Sequence, residues 1–348
     1  MRNPVITIDG SQGEGGGQVL RSALTLSLVT DKKLEITNIR ARRSRPGLRP
    51  QHLKAVEAAA AIGLASVEGA NLGSTSLVFA PGPIRPGHYQ IDIGTAGSTS
   101  LVLQTIFLPL SLARGLSKVT ITGGTHVPMS PCYHYIDQQW LAIMRQIGFD
   151  AQLTLLQAGF YPQGGGRLAA EIRPCGAIKP LQLMERGALE QIRGISAIAN
   201  LDRKIAERQR NQVLRRLGDE YRLNDIRIVN LPALSKGTML LLIAEFEYTQ
   251  CCYFALGELG KPAERVADEA VDSLLAFLET GAAVDKYLAD QLLLPLAFAD
   301  GPSALHTSRI TNHLITNAQV LRAFLSADIE ISGEIGQPGT VRIDPIQE

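Results

Sequence analysis

Apolar positions along the chain fall into a recurring order of extended and helical periods. Val5-Ile-Thr-Ile8 is an apolar run ending in Asp9-Gly10 and a glycine-rich turn. From Gly17 to Val29 the period lengthens, and Val19, Leu20, Ala23, Leu24, Leu26 and Leu28 mark a broadly amphipathic predicted helix. The same order returns at Tyr89–Ile93, where Gly94-Thr-Ala-Gly97 opens a helix through Leu101, Leu103, Ile106 and Leu110. A short strand follows each, Leu34–Thr37 and Lys118–Thr122. Second helices then run from about Pro50 to Gly63 and from Cys132 to Gly148, each ending in Ile-Gly. Ala65–Glu68 with Ser76–Phe79, and Asp150–Leu156 with Gly166–Ile172, close the two units.

The predicted unit is therefore βαβαββ. A third, broken copy is expected near the end, with Ala304–Thr307 as its first strand and a helix over His313–Leu325. Between lies a different region, Met184–Gly281, with strand candidates at Ile192–Ile198, Ile226–Val229, Thr238–Glu247 and Cys252–Leu256. Polar helices are predicted near Arg203–Leu217 and Pro262–Leu278. The expected fold class is α+β, of sandwich type: a large domain of three βαβαββ repeats, with a smaller α/β domain inserted before the third. The expected layout is residues 1–184 for repeats one and two, 185–280 for the inserted domain and 281–348 for the third repeat.

Composition narrows the function. The 348 residues are 45% hydrophobic and 19% charged, with a net charge of +1, enough for a real core and against binding nucleic acid by bulk charge. Aromatics at 5% argue against a long stacking surface for single strands. Cys132, Cys175, Cys251 and Cys252 match no zinc spacing and form a poor disulfide framework, so reduced thiols are expected. The N-terminus lacks the apolar run of a signal peptide, and Leu101–Ala113 and Met239–Ala244 are too short or interrupted to span a bilayer. A cytoplasmic protein without membrane contact is expected.

Three segments carry candidate chemistry. In Asp9-Gly-Ser-Gln-Gly-Glu14-Gly-Gly-Gly17-Gln-Val-Leu-Arg21, glycines between strand and helix let backbone approach a ligand, and the helix N-terminus offers free N–H groups to an anion. It is neither a Walker loop nor a dinucleotide fingerprint. Glu14 could hold a divalent cation and Arg21 face phosphates; alternatively Glu14 caps a turn and Arg21 is solvated. Arg40–Lys54 places six Arg or Lys in fifteen residues with no acid, a cationic loop suited to phosphate or else a solvated face. His126 and His134 do not have ligand spacing on a helix. His313, in Thr311-Asn312-His313-Leu-Ile-Thr316-Asn317, opens a helix that Thr311 or Asn312 would cap. The helix dipole there disfavours imidazolium, so His313 is a candidate neutral nucleophile, or simply a polar first-turn residue.

Taken together, Asp9–Arg21, Arg40–His52, Gly94–Gln104, Gly123-Gly-Thr125 with Pro131, Tyr287-Leu-Ala-Asp-Gln291 and His313-Leu-Ile-Thr-Asn317 resemble the RNA 3′-terminal phosphate cyclase family, essentially end to end. The resemblance implies ATP and a divalent cation (Mg²⁺ or Mn²⁺), and conversion of an RNA 3′-phosphate to a 2′,3′-cyclic phosphate through histidine-bound AMP. It implies His313 as the nucleophile and Glu14 as the metal-binding carboxylate. Arg21, Arg40, Arg43 and Gln51 would grip nucleotide phosphates. Gln104, Pro131, Tyr287, Leu288, Ala289, Asp290 and Gln291 would form the adenosine pocket. The partners implied are ATP and RNA bearing a 3′-phosphate; no stable protein partner is evident. The run from His126 to His134 differs from the family's more usual proline pair followed by an acid. Rival readings are a ribosome-assembly factor that resembles cyclases without the nucleophile, an enolpyruvyl-type transferase built from similar repeats, and a passive RNA-binding module. The inserted domain's polar helix, with Arg203, Lys204, Arg208, Arg210, Arg215 and Arg216 interleaved with Asp202 and Glu207, is read as solvated, with an RNA contact as the alternative.

Overall fold

The computed structural model describes residues 4–345. In the first unit, β1 (Val5–Asp9) leads through α1 (Gly17–Thr30) to β2 (Lys33–Thr37), then α2 (Pro50–Ile62), β3 (Ser66–Glu68) and β4 (Leu77–Ala80). The second repeats it: β5 (His88–Asp92), α3 (Thr99–Leu112), β6 (Ser117–Gly123), a composite helix, β7 (Ala151–Gln157) and β8 (Gly166–Ile172). That composite is α4 (Tyr133–Tyr135), a π-helical turn at Ile136–Trp140 and α5 (Leu141–Gln146).

Each unit's sheet has the same order, β1-β2-β4-β3 and β5-β6-β8-β7, with the first pair parallel and the rest antiparallel. Alternation explains why one face is wet. In β6, Val119 and Ile121 are buried, while exposed Lys118 pairs across the sheet with Glu171 at 2.9 Å.

The third unit starts earlier than the hydrophobic pattern suggests. Its first strand is β9 (Gln182–Leu183), which runs parallel to Ser303–Thr307. Ala304–Thr307, expected to begin the copy, is therefore in its second strand. Two residues of strand carry no period, so β9 is invisible to pattern reading. After it the chain makes the inserted region: β10 (Leu189–Ala199), α6 (Arg203–Leu217), β11 (Leu223–Asn230), β12 (Gly237–Phe246), β13 (Gln250–Leu256) and α7 (Ala263–Leu278). The third unit then resumes with α8 (Leu288–Leu296), β14 (Ser303–Thr307), α9 (Asn312–Phe324), β15 (Asp328–Ser332) and β16 (Gly339–Asp344). Its sheet order, β9-β14-β16-β15, matches the other two, so the insertion interrupts the third unit after its first strand.

Strand β12 shows how the inserted sheet, ordered β11-β10-β12-β13, is held. Its odd positions Met239, Leu241 and Ile243 join the large core, while Leu240, Leu242 and Ala244 pack with Val266, Ala270 and Leu274 of α7. A strand buried on both faces is a continuous apolar run, as here. Three of the six cations on α6 are ion-paired: Arg208 with Glu264 at 2.6 Å, Arg216 with Asp272 at 2.8 Å and Arg203 with Glu207 at 3.1 Å.

Where β6 ends, His126 and His134 are buried and bonded to each other, Nε2 to Nδ1, at 2.9 Å, and Thr125 Oγ1 meets His126 Nδ1 at 2.8 Å. Burial, with a smaller push from Arg227, brings the His134 proton affinity down to about 4, and burial with His134 holds His126 well below its usual range. The folded rings are neutral, whereas unfolded histidines titrate near ~6.5. Below that pH the unfolded chain takes up protons the fold refuses, so stability is lost as pH falls from ~6.5 towards 4. The urea midpoint should drop between pH 7 and pH 5, and drop less in His134→Gln; equal losses in both proteins would exclude this pair as the cause.

Candidate active site

The first turn of α9 carries the reactive candidate. Thr311, in extended conformation, caps the helix by accepting the Leu314 N–H at 3.1 Å. His313 Nδ1 bonds Gln18 Oε1, and Gln18 Nε2 donates to Asp290 Oδ2 at 3.1 Å. On the other side, His313 Nε2 lies 2.6 Å from Glu14 Oε2, and Glu14 Oε1 is paired with Arg43. Burial lowers the His313 proton affinity, Arg21 and Arg43 lower it further, and Glu14 opposes them. The net direction favours a neutral ring.

The glycine-rich turn reaches this helix by close approach. Gly13 has a φ of +57°, and a Cβ there would stand 2.0 Å from Thr316 Oγ1. The next residue, Glu14, donates its N–H to Thr316 Oγ1 at 3.2 Å, and Arg42 Nη1 donates to Gly13 O at 2.7 Å. The turn is thus clamped between α9 and the cationic loop. Within that loop, Arg40 donates to Arg45 O at 2.7 Å and Gly47 O at 2.8 Å, folding the loop on itself. Gln51 Oε1 accepts the Ser98 N–H at 2.7 Å at the start of α3. Beside them His52 is driven down to about 3 by burial and by Arg21, Arg40, Arg49 and Arg43.

A cleft of about 700 Å³ opens from His313 between α1, α3, the 127–131 loop, β13 and α8. Arg21, Gln104, Pro131, Tyr287, Asp290, Gln291 and His313 all line it. Gln104 Nε2 donates to Gln291 Oε1 at 2.9 Å, tying α3 to α8. Leu288 and Ala289 are fully buried behind the wall. Glu14 and Arg43 stand at the His313 end of the cleft, while Arg40 and Gln51 are engaged by backbone groups of the loop and of α3. Burial raises the Asp290 carboxyl to about 7 against Gln18 and Arg21, and brings the Arg21 guanidinium down to about 10 against Asp290 and Glu14. Arg21 stays charged at neutral pH.

Several residues here were not singled out from sequence. Gln18 bridges His313 and Asp290. Asn317 Nδ2 donates to Asp290 O at 2.7 Å and its Oδ1 accepts from Ser22 Oγ at 2.5 Å. Asp285, fully buried, accepts the N–H groups of Tyr287 at 2.9 Å and Leu288 at 3.0 Å, and the Tyr135 hydroxyl at 3.1 Å. The usable signal for Asp285 is an acidic residue three positions ahead of a helix, where its carboxylate can take free N–H groups. No comparable local signal marks Gln18, and Asn317 is marked only as the end of the His313–Asn317 motif, without its partners.

Glu14 is suited to a divalent cation. Its buried Oε2 makes no aligned hydrogen bond among the described residues and lies 2.6 Å from His313 Nε2. No group of three or more His, Cys, Asp or Glu able to hold a metal occurs among the described residues. An ion at Glu14 would therefore complete its shell with water and phosphate oxygens, the usual habit of Mg²⁺. Cys132, Cys175, Cys251 and Cys252 are all free thiols. Among the described residues no helix is long and apolar enough to cross a membrane.

Fold and site together define a repeat-built α+β protein with a histidine, a carboxylate and guanidinium groups at one end of a cleft of about 700 Å³. A family model described as RNA 3′-terminal phosphate cyclase matches residues 12–331. The chain belongs to the RNA 3′-terminal phosphate cyclase family. Proteins of that name from Ectopseudomonas mendocina (strain ymp) and Pseudomonas fluorescens are 45% identical over 94% of this chain and 95% of theirs, and 47% identical over 95% of each. One from Thermococcus kodakarensis is 41% identical over 97% of this chain and 98% of its own. A solved enolpyruvyl transferase from Streptomyces tendae, spanning 99% of this chain and 82% of its own, overlaps at a TM-score of 0.26 and 11% identity, too loosely to bear on the fold.

The clamp on the glycine turn can be tested directly. Gly13→Ala should displace Glu14 from Thr316 and weaken any metal-dependent step by an order of magnitude or more, with a loss of about 1 kcal/mol or more in urea unfolding from the strained φ. Wild-type metal dependence in Gly13→Ala would mean the turn does not place Glu14.

Proposed function

We propose that the protein converts an RNA 3′-phosphate to a 2′,3′-cyclic phosphate at the expense of ATP, through AMP bound covalently to His313. The observation that carries this reading is the neutral-leaning His313 at the mouth of the cleft, flanked by Glu14, Arg43 and Arg21. In the first step Nε2 of His313 attacks the α-phosphorus of ATP. An N–P bond forms, the bond to the bridging oxygen breaks, and pyrophosphate leaves. Arg21 and Arg43 stabilise the charge that builds on it. A terminal 3′-phosphate oxygen of the RNA then attacks the same phosphorus and frees the histidine. Last, the 2′-hydroxyl oxygen attacks the 3′-phosphorus, loses its proton and expels AMP. Splitting one displacement into two is the gain of covalent catalysis.

In this reading the adenine lies between Pro131 and the exposed ring of Tyr287, with Gln104, Asp290 and Gln291 as polar contacts. A divalent cation held by Glu14 would supply Lewis acidity to the phosphates. Arg40 and Gln51 complete the phosphate side by holding the loop and the start of α3 in place. The free thiols accord with the cytoplasm.

Incubation with α-labelled ATP and Mg²⁺ or Mn²⁺, without RNA, should yield protein-bound AMP that is labile to acid and stable to alkali, as a phosphoramidate is. His313→Ala should lose it by on the order of 10³-fold or more, and Glu14→Ala should lose its metal dependence. An adduct persisting in His313→Ala would remove the nucleophile. Its absence in the wild type would favour a non-catalytic relative that works in ribosome assembly.

A further inference from the structure

Gln18 has two chemically different ends, and its neighbours decide which way round it sits. Burial raises the Asp290 carboxyl to about 7, so above that pH it is a carboxylate, which only accepts hydrogen bonds. Its Oδ2, 3.1 Å from the Gln18 amide nitrogen, then requires the –NH₂ on its own side. Arg21 and the Gln18 donation both favour the charged carboxylate against its burial. The amide oxygen then faces His313 Nδ1, and it too only accepts. That contact is a hydrogen bond only when Nδ1 carries the hydrogen. In a neutral imidazole the lone pair is then on Nε2. The other contact does not reverse this: Glu14 Oε2 is close to Nε2, yet has no aligned hydrogen bond from it.

The relay is anchored at its far end. Asn317 holds the Asp290 carbonyl at 2.7 Å and is itself held by Ser22 of α1, the helix that carries Gln18. Both ends of the Gln18 side chain are thus referred to one packed pair of helices. Its orientation is set by the fold and needs no ligand.

We propose that Gln18 is a positioning residue which, with its sense fixed by Asp290, holds His313 as the Nδ1–H tautomer and leaves Nε2 as the attacking nitrogen. This rests on the reading of His313 as nucleophile. Two substitutions separate the roles of the amide: Gln18→Met keeps length and removes the acceptor, and Gln18→Glu keeps an acceptor towards Nδ1.

The test has two readouts. In metal-free, nucleotide-free protein labelled with ¹⁵N-histidine, in alkaline buffer where the ring is neutral, the His313 signals are those missing from His313→Ala. The wild type and Gln18→Glu should show hydrogen on Nδ1, and Gln18→Met should lose that preference. In single-turnover adenylylation, Gln18→Met should slow the rate constant by on the order of 10²-fold or more, with the half-saturating ATP concentration unchanged. Gln18→Glu should recover most of the rate. An Nδ1–H tautomer that persists in Gln18→Met overturns the proposal. So does weaker ATP binding at an unchanged rate constant, which would make Gln18 a nucleotide contact. Should the wild type form no adduct, the nucleophile reading fails, and the tautomer readout still judges Gln18 by itself.

Discussion

The site depends on one packing contact, that of α1 against α9. These helices lie at opposite ends of the chain, and the hydrogen bonds that join them span 295 to 302 positions: Gln18 to His313, Ser22 to Asn317 and Glu14 to Thr316. Each bond is worth only about 1 kcal/mol net. The apolar faces beneath them, Leu20, Ala23 and Leu24 on one helix and Leu314, Ala318 and Leu321 on the other, stabilise the contact more than the bonds do and fix the register. With that register set, the glycine turn must pass over Thr316, and Glu14 must arrive at His313.

Repetition accounts for the rest of the geometry. In each unit the second helix begins after the second strand, and in the first and third units its first turn lies against the start of a first helix. The first unit brings Gln51 and His52 there, and the third brings His313. Gln51 reaches on to the start of α3, so the second helix of one unit is locked to the first helix of the next. The insertion leaves after β9 and returns at α8, which lets β13 form the far wall of the cleft while the third unit keeps its sheet. Asp285 sits at that return point and holds the first N–H groups of the Tyr287 segment.

Much of this was legible because residue type and spacing carried it. The βαβαββ order of the first two units follows from hydrophobic period alone, as do the four strands and two helices of the insertion. Histidine at a helix start, and a carboxylate among glycines, point to chemistry without a structure. What stayed hidden depended on long-range partners. Strand β9 is two residues long and exists only because β14 pairs with it. The π-helical turn at Ile136–Trp140 does not disturb the apolar pattern that predicts a helix. The six cations of Arg40–Lys54 read alike in sequence, yet Arg40 and Arg42 hold backbone carbonyls, Arg43 holds Glu14 and Lys54 holds Glu57. Gln18 reads as a polar residue on a helix; its meaning comes from Asp290 and His313, 272 and 295 positions away.

The central claim is that this contact presents a neutral imidazole nitrogen to a nucleotide phosphate. Peptide mapping by mass spectrometry, after incubation with ATP and a divalent metal and digestion at alkaline pH, tests it most directly. The account predicts one AMP adduct, carried by the peptide containing His313. An adduct confined to a lysine or to another histidine would contradict it.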